Sequence, residues 1–180
     1  KFLASSILTR IASVAFISFD IILAKHYLTP TAAGQYALIS LVGKMIFFIG
    51  GLFSQFFIGL VSREEGAKRE SKHIFMKLFL ASTLVSFIAY VGVGLFGFIT
   101  IPMLFGKRID SVISLLPIYG FAMFCFTVAG SIVAYHQSIN RYIFPVAGFL
   151  LAALQIFGIV LFHSDLNQIV LVMTAVVLPI

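Results

Sequence analysis

Long apolar stretches alternate with short polar ones along the chain, and the length of the apolar stretches predicts its structure. Five windows contain no Asp, Glu, Lys or Arg: Met45–Ser62, Leu78–Gly106, Ser111–Asn140, Tyr142–Ser164 and Leu166–Ile180. A helix needs about 20 mostly apolar residues to cross a bilayer, so these windows indicate membrane-spanning helices. Polar and apolar residues do not alternate within them, which excludes the strands of a membrane barrel. The pattern predicts an all-α integral membrane protein.

Together with the apolar segment that opens the chain, these windows predict a bundle of six transmembrane helices. We place the helices at about 2–24, 34–61, 74–101, 112–139, 142–162 and 166–178. Thr29 followed by Pro30 is typical of a helix start, because a hydroxyl caps the helix and proline fits its first turn. The chain opens at Lys1 and closes within an apolar run. We therefore expect residues 1–180 to form a single lobe that belongs to a longer chain.

Composition strengthens this interpretation. Apolar residues make up 61% of the chain and charged residues 10%, whereas a soluble domain has about 45–50% and about 25%. Soluble enzymes and disordered tails are thus excluded. The net charge of +6 does not indicate a nucleic-acid partner, because the basic residues lie between apolar runs and form no basic stripe on a soluble face.

The distribution of the basic residues predicts the orientation of the helices. Loops on one side of the membrane hold most of them, and the positive-inside rule places that side in the cytoplasm. The cytoplasmic set is Lys1, Arg63, Lys68, Arg69, Lys72, Lys77 and Arg141, and the opposite side has Lys25, Lys107 and Arg108. The segment Ser62–His73 is therefore expected to face the cytoplasm. Because the helices are predicted to span a membrane, membrane lipids are expected partners.

Arg10, Asp20 and Lys44 are charged residues that fall inside predicted helices. A charge at a helix centre costs about 2.5–3.5 kcal/mol on the insertion scale, while each Leu, Ile, Phe or Val returns only about 0.3–0.6 kcal/mol. The first helix carries two of these charges, so its polar side must face protein or water. Such residues are candidates for a functional site.

Spacing predicts a partner for Asp20. If the first two helices form a hairpin that turns near Pro30, Asp20 and Lys44 lie about 15 Å and 21 Å from the turn. A lysine side chain can cover the difference, so we expect an Asp20–Lys44 ion pair. Arg10 lies about 15 Å from Asp20 along the same helix, too far for direct contact.

Two roles for these charges are open at this point. The pair could be static and merely make both charges tolerable in the membrane. Alternatively, Arg10 and Lys44 could border a water-filled cavity and bind an anionic substrate, with Asp20 positioning them or exchanging a proton. Asp20 is also the carboxylate available for a coupling ion.

Glycine and proline residues also interrupt the predicted helices. Examples are Gly50-Gly51, the group Gly92, Gly94 and Gly97, and Pro102. Small residues allow helices to pack closely in lipid, and broken helices also mark the moving parts of transporters. Close packing and hinge points are therefore both open interpretations.

The remaining polar residues give no catalytic pattern. Gln55 and Gln155 are lone amides, more typical of interhelical hydrogen bonds than of ligands. The four histidines lie at membrane edges, and their spacing brings no group of metal ligands together. We find neither a phosphate-binding loop nor a nucleophile beside a base, so the expectation is a protein that is not an enzyme and that has no cofactor or metal site.

One part of the chain resembles a known family. The segments Phe19–Pro30, Ala33–Ala37 and Leu41–Lys44 contain an Asp in an apolar helix, a short turn with Pro, and Gly-x-Tyr-Ala at the entry to the next helix. This order resembles the start of the C-terminal lobe of bacterial polysaccharide (O-antigen-type) flippases. These belong to the multidrug/oligosaccharidyl-lipid/polysaccharide exporter superfamily.

The resemblance implies a two-lobe transporter that opens alternately to the two sides of the bacterial plasma (inner) membrane. It would carry a lipid-linked oligosaccharide, with a pyrophosphate between sugar and undecaprenyl chain, from the cytoplasmic to the outer leaflet. Asp20 and Lys44 match positions of the motif, whereas Arg10 is added from the charge argument. The alternatives are a cation-coupled multidrug exporter of the same superfamily and a structural membrane subunit without a transport role.

Overall fold

The computed structural model of the chain describes residues 2–66, 72–105, 113–139 and 143–178. These residues form α-helices, one π-helical segment and one 3-10 turn, and they contain no β-strand. The elements are α1 (Phe2–Tyr27), α2 (Pro30–Gly66), α3 (Lys72–Ala89), the π-helical segment Tyr90–Leu95, α4 (Gly97–Phe105), the 3-10 turn Ile113–Leu115, α5 (Leu116–Ser138), α6 (Ile143–Leu161) and α7 (Leu166–Val177). The all-helical fold class is confirmed.

Four of the described helical stretches are long and apolar enough to cross a membrane. They are Ile7–Tyr27, Pro30–Phe53, Lys72–Leu95 and Ile113–Ser138, while Val146–Leu161 and Leu166–Val177 are shorter apolar helices. Large apolar side chains such as Leu80, Leu84 and Phe157 are exposed on the outside of the bundle. Such a surface is typical of a protein that is surrounded by lipid.

The predicted third helix, 74–101, is wrong as a continuous element. It is divided into α3, the π-helical segment and α4, with a bend at Phe96. The Phe96 amide donates to the Val91 carbonyl, a π-type bond, and Thr100 Oγ1 donates to the Gly92 carbonyl at 3.0 Å. The glycine group therefore lies where the backbone leaves regular α-helical geometry, as π-bulges often do.

The turn between α1 and α2 forms as its residues predict. Thr29 Oγ1 accepts a hydrogen bond from the Ala32 amide at 3.4 Å, and Pro30 occupies the first position of α2. Helix α2 begins four residues earlier than the predicted start at position 34. The short turn makes α1 and α2 neighbours in the bundle.

The core of the bundle lies between α2 and α5. Tyr36, Ile39 and Ile46 of α2 are buried, as are Tyr119 and Met123 of α5. Helix α1 packs mainly against α6, α3 packs against α2 and α5, and α7 packs against α5 and α6. This arrangement puts the middle of α1 beside α2 and the first turns of α5.

Close approach of helices explains one of the interrupting glycines. A methyl group at Gly50 would lie 2.6 Å from Thr127 Cγ2 of α5 and would overlap Ser86 Oγ of α3. Ser82 Oγ also donates to the Gly50 carbonyl at 3.0 Å. Nothing lies within 4 Å of a methyl group at Gly51. Close packing in lipid thus accounts for Gly50 and not for its neighbour.

Candidate functional site

A buried polar network centred on Asp20 joins α1, α2 and α5. Asp20 Oδ1 accepts from Lys44 Nζ at 2.9 Å. Oδ2 accepts from Tyr36 Oη at 2.9 Å, from Tyr119 Oη at 3.0 Å and from Ser40 Oγ at 3.1 Å. We call these five residues the Asp20 network. All are buried, and the predicted Asp20–Lys44 ion pair is confirmed.

Helical spacing explains how the sequence builds this network. Tyr36, Ser40 and Lys44 follow one another at intervals of four residues, so they lie on the same face of α2. Asp20 belongs to the buried stripe of α1 that also contains Phe16 and Ala24. Both stripes face the centre of the bundle, which brings the carboxylate against the polar face of α2.

The ammonium group of Lys44 has two partners on α1. Besides Asp20 it donates to the backbone carbonyl of Ile17, and the residue is only 5% exposed. The pair is neutral overall, and its hydrogen bonds offset the cost of taking both charges out of water. In this conformation both partners of the Lys44 ammonium belong to α1 and the side chain is almost fully buried, so its role in substrate binding stays a prediction.

Arg10 lies outside the Asp20 network. It is exposed on α1, beside the exposed side chains of Ile11 and Val14. Its guanidinium forms no ion pair with any residue that the structure describes. Ten residues separate it from Asp20, about 15 Å along the helix. The three charges predicted from the sequence therefore form one buried pair and one separate, exposed cation.

A second polar contact holds α1 from its other side. Gln155 Nε2 of α6 donates to the Phe16 carbonyl at 3.0 Å, and Gln155 is fully buried. The prediction of an interhelical hydrogen bond is confirmed for this residue, while the side chain of Gln55 lies outside the described residues. Two neighbouring carbonyls of α1, those of Phe16 and Ile17, thus bind side chains from different helices.

Sequence reasoning missed the three hydroxyl partners of Asp20. Tyr36 and Ser40 carry a usable signal, since they share the helical face of Lys44. Tyr119 carries none, because it is 99 positions away from Asp20. Two histidines share one contact partner, since His26 packs edge-on against the Tyr27 ring and His163 stacks on it at 4.0 Å.

The chemistry available to this site follows from these groups. The Asp20 network contains one carboxylate, one ammonium and three hydroxyls, while Arg10 offers a guanidinium that is exposed in the described part of the chain. Within the residues that the structure describes, His, Cys, Asp and Glu do not gather into a group of three or more. The arrangement can bind charged groups, and its carboxylate and ammonium can exchange one charged partner for another within the bundle.

In comparisons with known proteins, the chain matches no family model, no curated protein and no solved structure.

Proposed function

We propose that the chain is one lobe, a bundle of six transmembrane helices, of a transporter in the bacterial plasma membrane. The transporter flips a lipid-linked oligosaccharide from the cytoplasmic to the outer leaflet, for polysaccharide biosynthesis, by alternating access through a hydrated cationic cavity. The observation that carries the proposal is the exposed guanidinium of Arg10, which lies within the candidate span Ile7–Tyr27 and forms no ion pair with a described residue.

The position of Arg10 supports an anionic substrate. A charge within a span is costly in lipid, so it is placed where water, protein or a charged ligand can reach it. Arginine binds phosphate oxygens through two parallel hydrogen bonds, which suits the pyrophosphate of the proposed substrate. A single carboxylate, Asp20, lies inside the described spans, and Lys44 neutralises it. This balance favours an anionic substrate over the cationic drugs of a multidrug exporter.

In this proposal the hydrogen bonds of the Asp20 network change between the two conformations of the transporter. Lys44 can reach a substrate only if α1 moves away from α2, because its ammonium is bound to Asp20 and to the Ile17 carbonyl. After such a movement Asp20 would need another positive partner, which a coupling ion could supply. Exchange of the two residues, Asp20→Lys with Lys44→Asp, tests this step. Full transport by the exchanged variant would reduce the pair to a structural role.

Deletion of the gene that encodes the full-length protein tests the proposed function. We expect undecaprenyl-linked sugar precursor to accumulate, without increased drug sensitivity. Complementation with Lys77→Gln, which removes an exposed cation from α3, should restore export, whereas Arg10→Gln should not. Drug sensitivity without precursor accumulation would favour the multidrug exporter. Full export with Arg10→Gln would favour a structural subunit.

A further inference from the structure

The contact between α1 and α6 contains a buried acceptor without a partner. Gln155 of α6 is fully buried, and its Nε2 donates to the Phe16 carbonyl of α1 at 3.0 Å. Its Oε1 is buried as well and accepts no hydrogen bond within the described part of the chain. An unpaired acceptor is costly inside a membrane, where bulk water cannot replace the partner. A nearby donor that becomes free in another conformation would remove this cost.

The backbone of α1 contains such a donor. In an α-helix each amide bonds the carbonyl four positions earlier, so the Phe16 carbonyl that Gln155 contacts is also the acceptor of the Asp20 amide. Nε2 and Oε1 belong to the same planar amide group, and Nε2 already lies against this backbone bond. If the bond opened, Nε2 would keep the Phe16 carbonyl and Oε1 could accept from the freed Asp20 amide. One side chain could thus replace one backbone hydrogen bond at both of its ends.

The next backbone bond along α1 also has a side-chain donor beside it. The Ile17 carbonyl accepts from the Ile21 amide within the helix, and it accepts from Lys44 Nζ as well. Inside a membrane, backbone can leave helical geometry where neighbouring groups satisfy the freed carbonyls and amides. The central turn of α1, residues 16–21, meets this condition at both carbonyls, with one donor from α6 and one from α2.

We propose that α1 opens at its central turn during transport, and that Gln155 is the positioning residue that replaces the Phe16–Asp20 backbone bond in the opened helix. The opening moves Asp20 relative to Ile17, so it breaks the bridge that Lys44 forms between them. A hydrogen bond that only joined α1 to α6 would need the donor Nε2 alone, whereas the opened helix uses Oε1 as well. This inference rests on the proposed function, because it names the part of α1 that moves between the two conformations of the transporter.

Distances between two spin labels test the opening. The full-length protein, with its native cysteines replaced by alanine, is labelled at Ile7→Cys and Ile22→Cys in lipid nanodiscs. Both positions are exposed, and they lie on either side of the central turn. Fifteen positions separate them, about 22.5 Å in a straight helix. With or without an added lipid-linked oligosaccharide, we expect a second, shorter distance in at least one of the two conditions, because an opened turn lets the helix bend.

Replacement of Gln155 by leucine tests its role. Gln155→Leu leaves the Phe16–Asp20 backbone bond of the closed helix in place, so the variant should fold. We expect the share of the shorter distance to fall roughly tenfold, because the carbonyl and the amide that the opening frees lose their partners.

Two controls are matched to these measurements. Gln168→Leu removes a glutamine side chain from the start of α7, whose Oε1 accepts from the Ser164 amide, and should leave the distances of α1 unchanged. Labels at Leu41→Cys and Phe56→Cys have the same spacing at exposed positions of α2 and should give a single distance.

Proline substitution tests the opening in the other direction. Ile21→Pro removes the Ile21 amide, and the Ile17 carbonyl that it leaves keeps Lys44 as a donor. We expect this variant to fold and to raise the share of the shorter distance. Ala15→Pro is the control, because it frees the Ile11 carbonyl, which Lys44 does not contact, and it should lower the yield of folded protein.

Two results would overturn the inference. One is a single distance between positions 7 and 22 in both conditions. The other is a share of the shorter distance that Gln155→Leu does not diminish. Failure of the proposed function would be seen separately, as a gene deletion that accumulates no precursor while the shorter distance still forms and still depends on Gln155.

Discussion

Asp20 is the residue on which the polar interior of the bundle depends, since four side chains from α2 and α5 donate to its two oxygens. We predict that either Asp20→Asn or Lys44→Met destabilises the protein by about 3–5 kcal/mol, because each leaves one buried charge unpaired. The double variant should be more stable than either single variant, since it removes both charges. Unfolding of the purified protein in detergent micelles measures these differences.

Two further variants calibrate this measurement. Lys77→Met changes an exposed cation of α3 and should shift stability by no more than about 0.5 kcal/mol. Tyr119→Phe removes one of the donors to Asp20 and should cost about 1 kcal/mol. Additive losses from Asp20→Asn and Lys44→Met in the double variant would contradict a coupled pair.

The sequence predicts the contact of the Asp20 network that joins two helices adjacent in the chain, α1 and α2. Asp20 and Lys44 flank a short turn, so helical rise alone gives their depths and predicts their contact. Tyr119 comes from α5, and its approach depends on how α2 and α5 pack, which no local pattern specifies. The exposure of Arg10 and the burial of Lys44 likewise depend on the rotation of each helix in the bundle.

At the scale of elements, the close contact of α2 with α3 and α5 depends on the absence of a side chain at Gly50. We predict that Gly50→Ala destabilises the protein by about 1–3 kcal/mol, because the added methyl group overlaps Ser86 and crowds Thr127. Gly51→Ala is the matched control, since its methyl group meets open space and alanine favours the helix. Unfolding in detergent micelles compares the two, and equal losses would show that helix packing is not the cause.

Helix existence was easier to predict than helix continuity. The predicted helices 34–61, 112–139, 142–162 and 166–178 match α2, α5, α6 and α7 to within five residues at each end, because apolar length determines where a helix can lie in lipid. The break at Phe96 lies within such a window, and nothing in its hydropathy marks it. The nearby glycines permit the break, while the π-type bond of Phe96 and the Thr100–Gly92 bond are local backbone contacts that hydropathy does not encode.

At the scale of the whole molecule, the orientation in the membrane is a prediction from the basic residues. We expect a membrane-impermeant maleimide to label Ser164→Cys in intact spheroplasts and Arg63→Cys only after permeabilisation, because positive loops are retained in the cytoplasm. Cys125 is replaced by Ala in both variants, since it is the only native cysteine of this sequence. Labelling of position 63 in intact spheroplasts would reverse the predicted orientation.

Translocation of a lipid-linked oligosaccharide is the most direct test of the central claim. The full-length protein is reconstituted into vesicles with a fluorescent lipid-linked oligosaccharide, and the fraction that reaches the opposite leaflet is followed by quenching from outside. We predict translocation above that of protein-free vesicles for the wild type and for Lys77→Gln, and a loss of roughly tenfold or more for Arg10→Gln. Wild-type translocation no faster than in protein-free vesicles, or an undiminished rate with Arg10→Gln, would contradict the account.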